Sequence, residues 1–389
     1  MSPAKKIKDP KPRTLITGAT GFLGRNILHR LLAEHEDERF VLLVRGDKRG
    51  SPRQRLHRIL ESRYDEGRVE AFKKRIDLVP GDITWERFGM DDRAYEALAG
   101  SVDRIIHSAA SVVFNHPLEQ ARTINVKGTE TILDFAESCH AKGILKRVDY
   151  IGTAYVAGDR SGLVLEDELD KGQSFHNTYE QTKFEAETLV RERMKNLPLT
   201  IYRPSIIVGD SKTGRTSSFN VMYFPLKIYA RGIWRSIPGN PGSKVDIVPV
   251  DYICEALDII SSREDTIGHC YHLTASGRAS TMGTVTKMAA DYFGAKPVRF
   301  FNPVLYMNTI HLAVKNAVRW HRRLYDMLIN KGELYLPYFM QSLAFDNTNA
   351  LSILEDSGLQ APLVDDYFSN IFQYCIDTDW GKQVAVKED

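Results

Sequence analysis

Short runs of β-branched and aliphatic residues alternate with helical patterns through the first half of the chain. Arg13 to Thr17, Val41 to Val44, Ile76 to Val79, Val102 to His107, Val148 to Ile151 and Leu199 to Tyr202 read as strands. Between them, Gly24 to His35 sets Ile27, Leu28, Leu31 and Leu32 at helical spacing, and Thr129 to Cys139 does the same with Ile132, Leu133, Phe135 and Ala136. Thr178 to Arg193 predicts another helix, and the charged stretch from Ser51 to Arg75 one or two surface helices. Strands alternating with helices predict an α/β fold, with a parallel sheet doubly wound by helices.

After Pro204 the pattern loosens. Gly232 to Gly242 is rich in Gly and Pro and predicts a loop, Val245 to Pro249 a short strand, and Thr281 to Phe293 a helix. Pro303 to Asn330 predicts one long helix, with Met307, Ile310, Val314, Ala317, Val318 and Leu324 recurring at three to four residues. The division expected is a sheet domain over 12–205, to which later segments return, and a smaller, mostly helical substrate lobe over 206–389.

The chain has 389 residues, 43% hydrophobic and 26% charged, which is globular usage and excludes a disordered or collagenous chain. Lys+Arg is 52 against Asp+Glu 50, so no basic excess points to nucleic acid. Four cysteines are too few for a disulfide framework, and their spacing fits no zinc site. The lysine-rich start carries no apolar run, so no secretory signal is expected. The longest uncharged stretch, Phe300 to Val314, is too short to span a bilayer. The expectation is a cytoplasmic protein.

The strongest chemical signal joins the first strand to the first helix: Thr17-Gly18-Ala19-Thr20-Gly21-Phe22-Leu23-Gly24-Arg25. Glycines at 18, 21 and 24 allow a tight turn, backbone approach to a pyrophosphate and close packing of helix on sheet, the Rossmann arrangement. The N–H groups at the helix start then face the phosphate. At the end of the second strand, where an NAD site places a carboxylate, stands Arg45. A guanidinium suits a 2′-phosphate, and Arg25 is near enough in sequence to share it, so the expected cofactor is NADPH. Asp82 and Ile83 follow the third strand and are placed to meet the adenine, while Ser108, Ala109 and Ala110 follow the fourth and leave room for a dinucleotide against the sheet.

Tyr179 and Lys183 lie four apart on a predicted helix and so share a face. An ammonium beside a phenol favours phenolate, so Lys183 is expected to lower the Tyr179 pKa and reach the nicotinamide ribose. A tyrosine so tuned donates a proton to a carbonyl oxygen as hydride arrives. Thr153, just past the fifth strand, adds a hydroxyl for the same oxygen. Asn125 is expected to hold the helix that carries it, or a water of a proton relay.

With these residues the chain resembles the extended branch of the short-chain dehydrogenase/reductases over roughly residues 12 to 275. Within it, the chain is most similar to fatty acyl-CoA reductases and the thioester-reductase domains of carboxylic acid reductases. The similarity rests on the glycine loop, Leu43-Val44-Arg45 with its charged follow-on, Gly81-Asp82, His107-Ser108-Ala109-Ala110, Asn125-Val126-x-Gly128-Thr129, Thr153-Ala154-Tyr155-Val156 and Arg203-Pro204-Ser205-Ile206. The resemblance implies that Pro204 and Ile206 also line the cofactor. It implies reduction of an acyl-CoA or acyl carrier protein thioester to the aldehyde, with a second reduction to the alcohol left open.

An acyl chain needs an apolar slot, and Phe219 to Trp234 offers Val221, Met222, Tyr223, Phe224, Leu226, Ile228, Tyr229 and Trp234. Lys315, Arg319, His321, Arg322 and Arg323 lie beside the apolar stripe of the long predicted helix and suit either a solvated outer face or contact with an acidic carrier or a membrane surface. Two other readings stay open: an extended-type epimerase, dehydratase or sterol dehydrogenase, and an NADP sensor without turnover.

Overall fold

The computed structural model describes residues 12–46 and 50–383. The lysine-rich start lies outside them. Seven strands make the central sheet: β1 (Arg13–Thr17), β2 (Arg39–Val44), β3 (Ile76–Pro80), β4 (Arg104–His107), β5 (Arg147–Ile151), β6 (Leu199–Pro204) and β7 (Cys270–Leu273). Their spatial order is β7-β6-β5-β4-β1-β2-β3. Every neighbouring pair is parallel. The winding reverses between β1 and β4, where an open α/β sheet forms its ligand crevice at the strands' carboxyl ends.

Both faces of the sheet are apolar because both are covered. Ile16, Leu42 and Ile106 face one core cluster together with α1 (Phe22–Glu34). Their neighbours Leu15, Val41 and Ile105 face the other, with α2 (Gly128–Ala141) and α3 (Thr178–Arg193). The helix α4 (Val250–Ser261) joins α1 on the first face: Ile253, Leu257 and Ile260 share a cluster with Ile27, Leu28 and Leu31. An ionic contact seals this packing, with Asp258 taking Arg30 Nε at 3.1 Å and His35 Nε2 at 2.7 Å. Both α4 and β7 follow residue 205, so the later chain returns to complete the sheet.

The lobe beside the sheet has its own core, where the helices Tyr223–Ala230, Met282–Phe293 and Val364–Asp377 pack around Leu226, Tyr229, Phe368 and Phe372. A parallel pair, Gly162–Val164 with Leu343–Phe345, ties the C-terminal region to the loop after β5.

Three expectations in this half need correction. Pro303 to Asn330 is not one helix. It is interrupted by wide turns at Met307–His311 and Asp326–Asn330, and broken after Val318, where His321 leaves helical geometry. None of the apolar stripe from Met307 to Val318 is buried, and Trp320 is 82% exposed, so nothing holds a straight rod together. Instead the chain folds back, and Glu333 meets His311 at 3.0 Å. Arg319, Arg322 and Arg323 are all exposed there. Gly232 to Gly242 contains a strand, Ser236–Pro238, paired with Arg299–Phe301. Val245 to Pro249 is two strands, Lys244–Val245 and Ile247–Pro249, in different sheets.

Candidate active site

The glycine loop is built as its spacing requires. Gly18 has φ +73°, and a Cβ there would lie 2.7 Å from the backbone nitrogen of Ala109; a Cβ on Gly24 would collide with the Gly18 carbonyl. Gly21 donates to that same carbonyl at 2.8 Å and caps α1 with no side chain in the way. The helix therefore presents uncovered N–H groups to the crevice, as a pyrophosphate needs.

Thr17 and His107 lie beneath this loop and tie β1 to β4. Thr129 spends its hydroxyl proton on the Asn125 carbonyl, at 2.7 Å. His107 Nε2 therefore donates to Thr129, at 3.1 Å, and its Nδ1 accepts from Thr17 Oγ1, at 2.7 Å. Burial lowers the His107 pKa to about 3, which keeps the ring neutral.

At the end of β2 three guanidiniums gather. Arg45 is exposed, with Nη1 4.0 Å from Asp82 Oδ2. Arg25 Nη2 donates to the Thr20 carbonyl at 3.2 Å. Arg55 donates to the Arg45 carbonyl at 2.9 Å and to Thr20 Oγ1 at 2.5 Å. Arg55 was not singled out in the sequence, although it sits in the charged stretch that follows the cofactor-selecting position.

The catalytic candidates converge on the other side of the crevice. Asn177 caps α3 by accepting from the Glu180 N–H at 3.0 Å, and this starts the helix with Tyr179 facing inward. The Thr153 hydroxyl beside Tyr179 pulls the phenol pKa down, but burial outweighs it and drives the pKa up to about 12. Lys183 Nζ donates to the Ile151 carbonyl at 2.9 Å and lies 4.5 Å from the centroid of the Tyr150 ring. Burial lowers its pKa to about 8, against the pull of Glu187 one turn on. Glu187 in turn holds the fully buried Arg203 at 2.6 Å. The expectation that Lys183 lowers the Tyr179 pKa is therefore not met: the ammonium is turned to Ile151 and Tyr150, and desolvation governs the phenol. Tyr150, the seat of the ammonium, was missed, since a strand tyrosine carries no motif.

A cleft of about 540 Å³ joins these parts. Gly18, Thr20, Gly21, Phe22, Leu23, Gly24, Arg25, Ser108, Ala110, Thr153, Tyr179, Lys183, Pro204 and Ile206 all line it. Six other residues expected to hold the cofactor do not line the cleft. Thr17 is below the floor, Ala109 packs its backbone on Gly18, and Arg45 stands outside on the rim. Asp82 Oδ1 is taken by the Thr84 N–H and hydroxyl, both at 2.9 Å. Ile83 packs over Gly128. Asn125 spends its amide on Ser111 and Thr182: Oδ1 accepts from the Ser111 N–H at 2.7 Å, and Nδ2 donates to the Ser111 carbonyl at 3.1 Å and to Thr182 Oγ1 at 3.0 Å. It ties the loop at Ser111 to α3 at Thr182 instead of touching the cleft.

Beside the cleft lies an apolar cavity of about 110 Å³. Val221, Met222, Leu226, Tyr229 and Trp234 line it, as expected for an acyl slot. Tyr223 turns to the cofactor cleft, while Phe224 stacks on Tyr335 and Ile228 is buried outside both spaces. All four cysteines are buried, and burial raises each thiol pKa, so none is poised as a nucleophile.

The family model described as male sterility protein, an NAD-binding domain, matches residues 16–257. The chain belongs to this family. Among its relatives, the fatty acyl-CoA reductase wat of Drosophila melanogaster is 28% identical over 64% of this chain and 56% of its own length. A linear gramicidin synthase polypeptide of Brevibacillus parabrevis is 32% identical over 67% of this chain, but that is 5% of the polypeptide's length. The terminal R domain of the myxalamid biosynthetic pathway superposes with a TM-score of 0.79 at 27% identity, covering 97% of this chain and 93% of that one. The chain spans about half or less of the length of the first curated relatives it matches. This male sterility family member has the extended short-chain dehydrogenase/reductase fold with an NAD-binding domain, and it resembles fatty acyl-CoA reductases and peptide-synthetase reductase domains. No helix among its described residues is long and apolar enough to cross a membrane.

Proposed function

We propose that this chain is an NADPH-dependent reductase of acyl thioesters, carried on CoA or an acyl carrier protein, that releases the aldehyde and the free thiol. The observation that carries this reading is the meeting of Thr153, Tyr179 and Lys183 in a glycine-loop cleft that opens beside an apolar cavity.

The cleft fits a dinucleotide: it has the side-chain-free turn at Gly18, the uncovered start of α1, and room along Ser108 and Ala110. Arg25, Arg45 and Arg55 around Thr20 favour a 2′-phosphate. When bound, the reduced nicotinamide supplies a hydride to the thioester carbonyl carbon. The chain's own residues manage the oxygen. Tyr179 remains a phenol up to a pKa of about 12 and so carries a proton to give. Thr153 adds a second hydrogen bond where negative charge builds. Lys183, charged below about pH 8 and turned to the Ile151 carbonyl and the Tyr150 ring, would hold the nicotinamide ribose from the wall of the cleft. Loss of the thiol from the resulting hemithioacetal gives the aldehyde.

The test is NADPH consumption with a series of acyl-CoA thioesters including palmitoyl-CoA, with products identified by chromatography. Aldehyde and thiol should appear in step with NADPH loss. Tyr179→Phe should cut turnover by about 10² to 10⁴-fold while NADPH still binds. NADPH that binds tightly but is never consumed with any thioester defeats the reading.

A further inference from the structure

The cleft and the apolar cavity share four walls: Tyr155, Ile206, Val221 and Tyr338. Tyr338 sits on the short helix Leu336–Met340, far along the chain from the reaction centre. Its hydroxyl donates to Glu180 Oε1 at 2.5 Å and accepts from Asn177 Nδ2 at 2.7 Å. Glu180 is fully buried and adjoins Tyr179 in sequence. Its other oxygen takes both the backbone N–H and Nδ1 of His176, each at 3.0 Å. The phenol of Tyr338 is therefore latched to the first turn of α3, the helix that carries the catalytic pair.

The ring is fixed as firmly as the hydroxyl. It stacks on Phe114 with centroids 5.7 Å apart, and Phe114 stacks on Tyr179 at 5.8 Å. Tyr155 meets it edge-on at 5.5 Å. Across the opening, Val221 is held at φ +48°, a strained conformation for a β-branched residue, and Tyr335 lines the same cavity wall. The backbone of this segment also lies so close to Gly239 that a Cβ there would strike the Phe339 carbonyl.

We propose that Tyr338 is a specificity-determining gate between the reaction centre and the acyl cavity, and that its latched ring restricts the substrate to a short acyl chain. This rests on the thioester-reductase reading and names its substrate class. An apolar cavity of about 150 Å³ holds benzene, so the cavity of about 110 Å³ has room for about four or five carbons. A long alkyl chain cannot lie beside Tyr179 and extend into that space while Tyr338 stays on Glu180 and Asn177.

Two measurements test this. The first is kcat/KM for straight-chain acyl-CoA thioesters from acetyl to palmitoyl, in wild type, Tyr338→Ala and Tyr338→Phe. Wild type should favour short chains. Tyr338→Ala should raise the ratio of decanoyl- to butyryl-CoA efficiency at least about tenfold, mainly through KM, and Tyr338→Phe, with the ring but not the latch, should lie between. The second is binding of n-alkanols of increasing length, followed by Trp234 fluorescence. Affinity should rise about fourfold per methylene until the cavity is full, and Tyr338→Ala should move that limit to longer chains. If Tyr338→Ala does not fold, Tyr338→Leu takes its place. A limit that stays where it was, or an equal loss at all lengths, overturns the gate. A wild type that reduces no thioester overturns the reductase reading alone, since the alkanol series still reports on the gate.

Discussion

At the reaction centre, burial acts in opposite directions on neighbouring groups. It raises the Tyr179 phenol to about 12 and lowers the Lys183 ammonium to about 8. An ordinary lysine titrates near 10.4, so this one loses its charge about two units early. Tyr179 keeps its proton throughout, and the charge that titrates in the cleft is that of Lys183, placed to hold the cofactor ribose. The kcat/KM for reduction should accordingly be level below about pH 8 and fall above it, with Lys183→Arg carrying the level part to higher pH. A pH profile of the free enzyme reads this directly. Cofactor choice is also a single-residue matter. Arg45 is exposed at the rim, where a 2′-phosphate would be its natural partner. A hydrogen bond to a charged group contributes about 1.5–3 kcal/mol, so Arg45→Ala should weaken NADPH by about 10- to 100-fold and NADH hardly at all in fluorescence titrations. Equal losses would remove Arg45 from the cofactor site.

Among elements, the short helix Thr348–Leu354 is held in place from outside. Glu166 is buried and accepts from the N–H groups of Asn349 at 2.6 Å, Ala350 at 3.2 Å and His272 at 2.8 Å. It thereby fastens the start of that helix to β7. A helix of seven residues has no stability of its own in water. Glu166→Ala should strand these buried donors and lower stability by about 3 kcal/mol, seen as an earlier urea midpoint with an unchanged slope. The same logic explains which elements were legible. The strands β1 to β6 and the helices α1, α2 and α3 announce themselves because their periodicity is set by a sheet with two covered faces. The stretch Pro303 to Asn330 shows helical spacing too, yet it breaks, because periodicity reports a face and not whether anything packs against it. The strand β7 and the helices α4 and Val364–Asp377 went unpredicted: α4 is apolar and buried on most of its surface and so lacks the contrast that marks amphipathic elements, whereas Val364–Asp377 does carry a regular apolar face, Val364, Tyr367, Phe368, Ile371, Phe372 and Cys375, by which it could have been found.

For the whole molecule, the chain by itself determined the parts whose chemistry is local. The glycine loop requires only adjacent residues, the Tyr179–Lys183 pair only one helical turn, and the alternating strands and helices only their own spacing. Tertiary structure decided everything that depends on distant segments meeting. It brought β7 and α4 back onto the sheet, sent Lys183 to Ile151 and Tyr150 instead of to Tyr179, and drew Asn125 onto Ser111 and Thr182. It set Tyr338 on Glu180 across 158 positions of sequence. The reason is that a backbone turn or a helical face is fixed by neighbours along the chain, whereas desolvation, the direction of a long side chain and the wall of a cavity are properties of whatever packs there, and that is known only once the chain has folded.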